Sequence, residues 1–167
     1  MAATYEPIAT TTLGSAASSI TFSSIPSTYT DLRLVLVIAG SSATANVRVQ
    51  YNSDTATNYS ATYIAGNGTT ATSSRRTSAT SLTFTDGVAT STTIPSFFTL
   101  DIFNYAGSTY KTSLTTSNQD YNGSGSTELN VGLWRSTAAI NTILITTLTA
   151  TTYNAGTIAT LYGIKAA

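Results

Sequence analysis

Apolar and polar side chains alternate with a period of two along several short runs of this chain, and no stretch carries a convincing helical spacing. In Asn46–Tyr51, Val47, Val49 and Tyr51 are set to point one way while Arg48 and Gln50 point to water. In Thr127–Arg135, Leu129, Val131 and Leu133 share a face, with Trp134 opposite them as a second-face packing residue. In Thr157–Ile164, Ile158, Thr160, Tyr162 and Ile164 alternate with Ala159, Leu161 and Gly163. Leu32–Ile38 is apolar on both faces apart from Arg33, which predicts a central strand with one face in the core and the other against a neighbour. Together the runs predict strands over Pro7–Leu13, Ser19–Ser24, Asp31–Ala39, Asn46–Asn52, Tyr59–Ala65, Thr80–Thr85, Phe97–Tyr105, Lys111–Ser117, Glu128–Arg135, Asn141–Thr149 and Gly156–Lys165.

Turn residues separate these runs: Ile25-Pro26-Ser27, Gly40-Ser41-Ser42, Asn67-Gly68, Asp86-Gly87, Asn122-Gly123-Ser124-Gly125 and Asn154-Ala155-Gly156. Asn-Gly and Asp-Gly supply the positive φ that tight turns require. Gly66–Ser78 and Ser117–Ser126 read as longer exposed loops. Many short strands at this spacing predict a single all-β domain over residues 1–167, an antiparallel β-sandwich that is jelly-roll-like. The core drawn from the alternation is Phe22, Leu34, Leu36, Ile38, Val47, Val49, Leu100, Ile102, Leu129, Val131, Leu133, Ile143, Ile145, Ile158, Tyr162 and Ile164.

Composition then narrows the chemistry. The 167 residues include no His and no Cys, and 8% are charged. Those two missing types supply most nucleophile–base pairs and most transition-metal ligands. Ser-His-Asp and Cys-His arrangements are excluded outright, so the expectation is that the chain is not an enzyme and uses no cofactor and no metal. Thr and Ser make up roughly a third of the residues and take over the solvation that charge usually provides. Seven Lys and Arg balance seven Asp and Glu, which leaves no field to draw nucleic acid or an anionic membrane. The opening Met1–Pro7 has neither a basic nor an apolar signal region, which predicts synthesis in a cytoplasm without export.

The remaining candidates each have a plain alternative. Ser108-Thr109-Tyr110-Lys111 matches Ser-x-x-Lys, but in a chain this rich in Ser it reads as a chance match in a hairpin turn. Asp101 interrupts the apolar run Phe97–Tyr105, and strand alternation makes it an outward residue facing an Arg. Asn52-Ser53-Asp54-x-x-x-Asn58 offers oxygen ligands for Ca²⁺, and the stronger reading is an Asx-turn closing a hairpin. Arg75-Arg76, the only adjacent basic pair, reads as a solvated loop. Near the start, Tyr5, Pro7 and Ile8 make residues 1–8 a candidate arm that docks on a neighbouring subunit, or an edge strand of the same domain, since Pro is tolerated at sheet edges.

The closing run Ala155–Lys165, ending Leu161-Tyr162-Gly163-Ile164-Lys165, resembles the ending of small virion structural proteins of tailed bacteriophages, especially cyanobacterial and marine phages. Ile20-Thr21-Phe22, Ile25–Leu34, Tyr51-Asn52-Ser53-Asp54 with Asn58-Tyr59-Ser60, and Asn104-Tyr105 with Lys111-Thr112 are similar in the same order. The resemblance covers the chain from about Ile20 to its end. It implies a β-sandwich module at the virion surface, with the chain itself as a partner in a homotrimer. Its other partners would be the major capsid protein or further virion proteins, which it decorates or cements. A tail or fibre module binding a host-surface receptor or glycan is the alternative it implies. It brings no catalytic residues with it.

Overall fold

The computed structural model describes residues 4–39, 46–84, 94–148 and 151–165. They form β1 (Tyr5–Thr12), β2 (Ser19–Phe22), β3 (Asp31–Ile38), β4 (Val47–Tyr51), β5 (Tyr59–Gly66), β6 (Ala71–Ala79), β7 (Leu82–Phe84), β8 (Ser96–Phe103), β9 (Lys111–Asp120), β10 (Gly125–Trp134), β11 (Ile143–Thr147) and β12 (Ile158–Ile164). Two antiparallel sheets result. The larger has eight strands in the order β1-β12-β3-β8-β9-β10-β5-β6, and the smaller has four in the order β2-β11-β4-β7. The all-β sandwich expected from the alternation is therefore what forms.

The core lies where the small sheet covers the middle of the large one. Leu32, Leu34, Leu36 and Ile38 on β3 and Phe98, Leu100 and Ile102 on β8 are buried from one side. Val47, Val49 and Tyr51 on β4 and Ile143 and Ile145 on β11 close over them. Aromatic contacts tie the layers together. Phe84 meets Phe98 edge-on at 4.9 Å between ring centroids, and Tyr51 lies 5.5 Å from Trp134. Geometries of this kind add about 0.5–1.5 kcal/mol beyond the area they bury.

The predicted turns Asn67-Gly68, Asn122-Gly123 and Asn154–Gly156 are present, with Gly68, Gly123 and Gly156 all at positive φ. At the β9–β10 tip the Tyr121 N–H donates to the Ser124 carbonyl across Asn122-Gly123, both at positive φ. Gly40-Ser41-Ser42 and Asp86-Gly87 lie outside the described residues.

Five expectations are corrected. Gly66–Ser78 is not a loop, because Ala71–Ala79 forms β6 and pairs with β5 along its length. Its Thr and Ser suit a strand, but without apolar alternation there is no signal of a buried face. The second expected loop, Ser117–Ser126, shrinks to a tip because β9 and β10 run on to Asp120 and from Gly125. Leu129 and Val131 point to solvent, with exposures of 41% and 54%, and Leu133 is only half-buried. The inner face of β10 is Glu128, Asn130, Gly132 and Trp134 instead, opposite Ser113, Thr115 and Ser117 of β9. On β12 likewise Ala159, Leu161 and Gly163 face inward, while Ile158 is exposed and Tyr162 and Ile164 are half-buried. Gln50 is buried, not solvated, and its Nε2 donates to the Thr80 carbonyl at 2.9 Å. A period of two separates the faces of a strand without saying which one a second sheet will cover.

Candidate interaction surface

The outer side of the eight-stranded sheet has no second sheet over it, and its rows can be followed through the register. One row runs Thr10, Thr160, Val35, Thr99, Thr116, Leu129, Ile64 across seven strands. Within it Thr10 and Thr160 hydroxyls meet at 3.1 Å, and Thr99 and Thr116 at 2.6 Å. The next row carries Tyr162, Arg33, Asp101, Leu114, Val131 and Thr62. Phe97, Phe103 and Ile158 stand exposed on the same side. Apolar side chains thus alternate with hydroxyls over a broad sheet face, and the acid and base in its middle neutralise each other. Asp101 points outward, as strand alternation anticipated, and Arg33 across from it on β3 donates to both its oxygens, at 2.6 and 2.8 Å. The Asp101 hydrogen bond raises the guanidinium's pKa above its ordinary value.

The three residues singled out for assembly lie in β1, which is an edge strand paired antiparallel with β12. Tyr5 is half-exposed with its ring 5.8 Å from the Arg33 guanidinium, so it adjoins the Arg33–Asp101 pair. Pro7 is exposed, and the register slips between Pro7 and Ala9, leaving Ile8 as the bulged residue packed against the core. The structure thus brings Tyr5 onto the open face and turns Ile8 away from it.

The remaining chemically marked residues hold turns. Asp54 Oδ1 accepts from the Ala56 N–H at 2.9 Å; Oδ2 accepts from Asn58 Nδ2 at 2.9 Å and from the Trp134 indole at 2.7 Å. Burial pushes this carboxyl up, but the hydrogen bonds outweigh it and leave the pKa below its ordinary value. The Asx-turn reading holds, with one change: β4 and β5 belong to different sheets, so Asp54 closes a crossing between layers and not a hairpin. Lys111, from the Ser-x-x-Lys match, is buried, and its Nζ donates to the carbonyls of Gly107 at 2.7 Å and Thr109 at 2.5 Å. Burial pushes the amine's pKa down. Among the described residues no three acidic side chains gather as a cation site would require.

Asn104 and Tyr105, which follow β8, act as further anchors. Tyr105 donates to the Pro26 carbonyl and accepts from the Tyr29 N–H at 3.4 Å, and the Asn104 N–H donates to Asp31 Oδ1 at 2.7 Å. They hold the crossing from β2 to β3 in place, not a binding face. The alternation that turns Asp101 outward carries Phe97 and Phe103 to the same side, whereas nothing local marks Ile64 as an outer residue. No protein-family model matches this chain, and no curated protein or solved structure matches it significantly.

Proposed function

We propose that this chain is a structural component of a tailed-phage virion, an outer capsid decoration or cement protein that binds and reinforces the particle as a homotrimer. The observation that carries the reading is the open side of the eight-stranded sheet, where Ile64, Leu129, Val131, Phe97 and Phe103 stand among threonines with one internally neutralised ion pair. A face of that composition suits contact with protein far better than contact with nucleic acid or a charged lipid surface. The strand order adds support. With β9-β10-β5-β6 taken as an extension of the larger sheet, β1-β12-β3-β8 and β2-β11-β4-β7 follow the strand order expected of an eight-stranded jelly roll, an architecture that recurs in viral shells. The resemblance from Ile20 onward points the same way.

Contacts so poor in charge depend little on salt. The test adds purified chain to particles lacking it, at low and high salt, and counts bound copies by electron microscopy. Attachment over the whole shell that survives high salt supports the proposal. Binding that disappears as salt rises, or no binding at all, overturns it. A few copies confined to the tail would instead favour a receptor- or glycan-binding fibre module.

A further inference from the structure

The eight-stranded sheet ends in two edges of different kinds. At β1 the Lys165 N–H donates to the Thr4 carbonyl at 3.0 Å, which makes Thr4 and Lys165 a hydrogen-bonded pair. Alternation then makes Pro7 and Tyr162 a non-bonded pair, so the nitrogen of Pro7 faces the open edge and offers it no donor. With the bulge at Ile8 beside it, this edge is closed to another strand.

The β6 edge has no such block. In its hairpin the Asn67 N–H donates to the Thr70 carbonyl at 3.2 Å. Counting back by alternation places Ala71, Ser73 and Arg75 in non-bonded pairs with Gly66, Ile64 and Thr62. The N–H and C=O groups of those three residues therefore point away from β5, into solvent. Beside them, on the open side of the sheet, Ile64, Leu129 and Thr127 line a trough of about 490 Å³ whose floor is mostly apolar. Arg75 and Arg76 meet no carboxylate among the described residues, and Arg76 rests over the Tyr63 ring at 5.8 Å.

We infer that β6 is a docking edge for an extended segment of a partner protein that carries acidic side chains. The segment adds as a further strand, bonding to the outward groups of Ala71, Ser73 and Arg75. Its apolar side chains lie over the small residues Ala71 and Ser73 and cover Ile64 and Leu129. Its carboxylates, on the other face of the added strand, meet Arg76 beside Tyr63, while Arg75 stays on the open side with Ala71 and Ser73. A second copy's β6 is a worse occupant, because its sequence Ala71–Ala79 brings two more arginines and no carboxylate. The inference does not depend on which particle, if any, the chain belongs to.

The test uses the full chain and a fluorescein-labelled peptide alternating valine with aspartate, with a valine–lysine peptide as its counterpart, and reads binding by fluorescence anisotropy. The aspartate peptide is expected to bind and the lysine peptide not to. Ser73→Pro removes an outward N–H without touching the β5 ladder and should weaken binding about tenfold; circular dichroism checks that it folds. Arg76→Glu, on the half-buried side chain over Tyr63, should weaken it several-fold and more so at low salt. No binding, equal binding of both peptides, or affinity unchanged in Ser73→Pro would overturn the inference. So would a self-association of the unmodified chain that Ser73→Pro abolishes, since that would make a second copy the occupant.

Discussion

The ring of Tyr29 occupies the space that a side chain at position 163 would need: a β-carbon on Gly163 would lie 2.3 Å from the ring's Cγ. Glu6 and Lys165 close the arrangement. Tyr29 Oη donates to Glu6 Oε2 at 3.2 Å, Lys165 Nζ donates to Glu6 Oε1 at 2.9 Å, and that ammonium stands 5.5 Å from the centre of the Tyr29 ring. The first strand, the last strand and the crossing before β3 are thereby joined at one point. The glycine of Leu161-Tyr162-Gly163-Ile164-Lys165 is a seat for a tyrosine distant in sequence, so this closing run serves to close the sandwich.

Gly163→Ala should displace that ring and cost about 1–3 kcal/mol, the usual range for overpacking. Tyr29→Ala should also destabilise, but the two losses should not add, because the clash disappears with the ring. Urea unfolding followed by Trp134 fluorescence measures both, and strictly additive costs would contradict the packing described.

Asp54→Ala removes the acceptor shared by three donors and strands the Trp134 indole N–H, which should cost about 2–3 kcal/mol at neutral pH. The folded protein holds the Asp54 pKa below its ordinary 3.8, so the folded state binds fewer protons there than the unfolded chain. The stability it contributes is complete above that value and is lost as pH falls through the lowered one. Between roughly pH 5 and pH 2 the unmodified protein should therefore lose more stability than Asp54→Asn does. Parallel acid profiles would rule this role out.

Lys111 shows the opposite sign. Burial lowers its folded pKa, so the unfolded chain binds more protons and this group adds stability as pH rises toward its ordinary 10.5. Buried Tyr51, Tyr59 and Tyr153, whose ionisation burial opposes, pull the other way above pH 10.0. The difference between the unmodified chain and Lys111→Met isolates the lysine. It should grow in favour of the unmodified chain on going from neutral to alkaline pH, as read by thermal melts.

The two faces of the large sheet should respond differently to polar substitution. Leu36→Asp buries an unpaired carboxylate and should unfold the domain, at a cost of several kcal/mol. Val131→Thr and Leu129→Thr should each change stability by no more than about 0.5 kcal/mol, because both side chains face solvent. Melting temperatures separate the cases, and a large loss at Val131 would place it in the core after all.

Much of this was legible in the chain. Thr, Val, Ile and Tyr in alternating runs, cut by Asn-Gly turns, determine strands, tight hairpins and the all-β class, because branched Cβ groups fit a pleated surface and only a few residues accept positive φ. The outward setting of Asp101 and the Asx-turn at Asp54 followed from the same local rules, while Arg33, the partner of Asp101, comes from the β3–β8 register. Other features needed the fold. Leu129, Val131 and Ile158 read as core and are not, while Glu128, Asn130 and Ala159 face inward. The assignment depends on how far a four-stranded layer reaches over an eight-stranded one, and alternation within one strand is the same whichever side is covered. β6 has no apolar face to announce it and exists because β5 supplies its ladder. The meeting of Tyr29 with Gly163 joins residues that only the closed sandwich brings together, so no local pattern along the chain could have shown it.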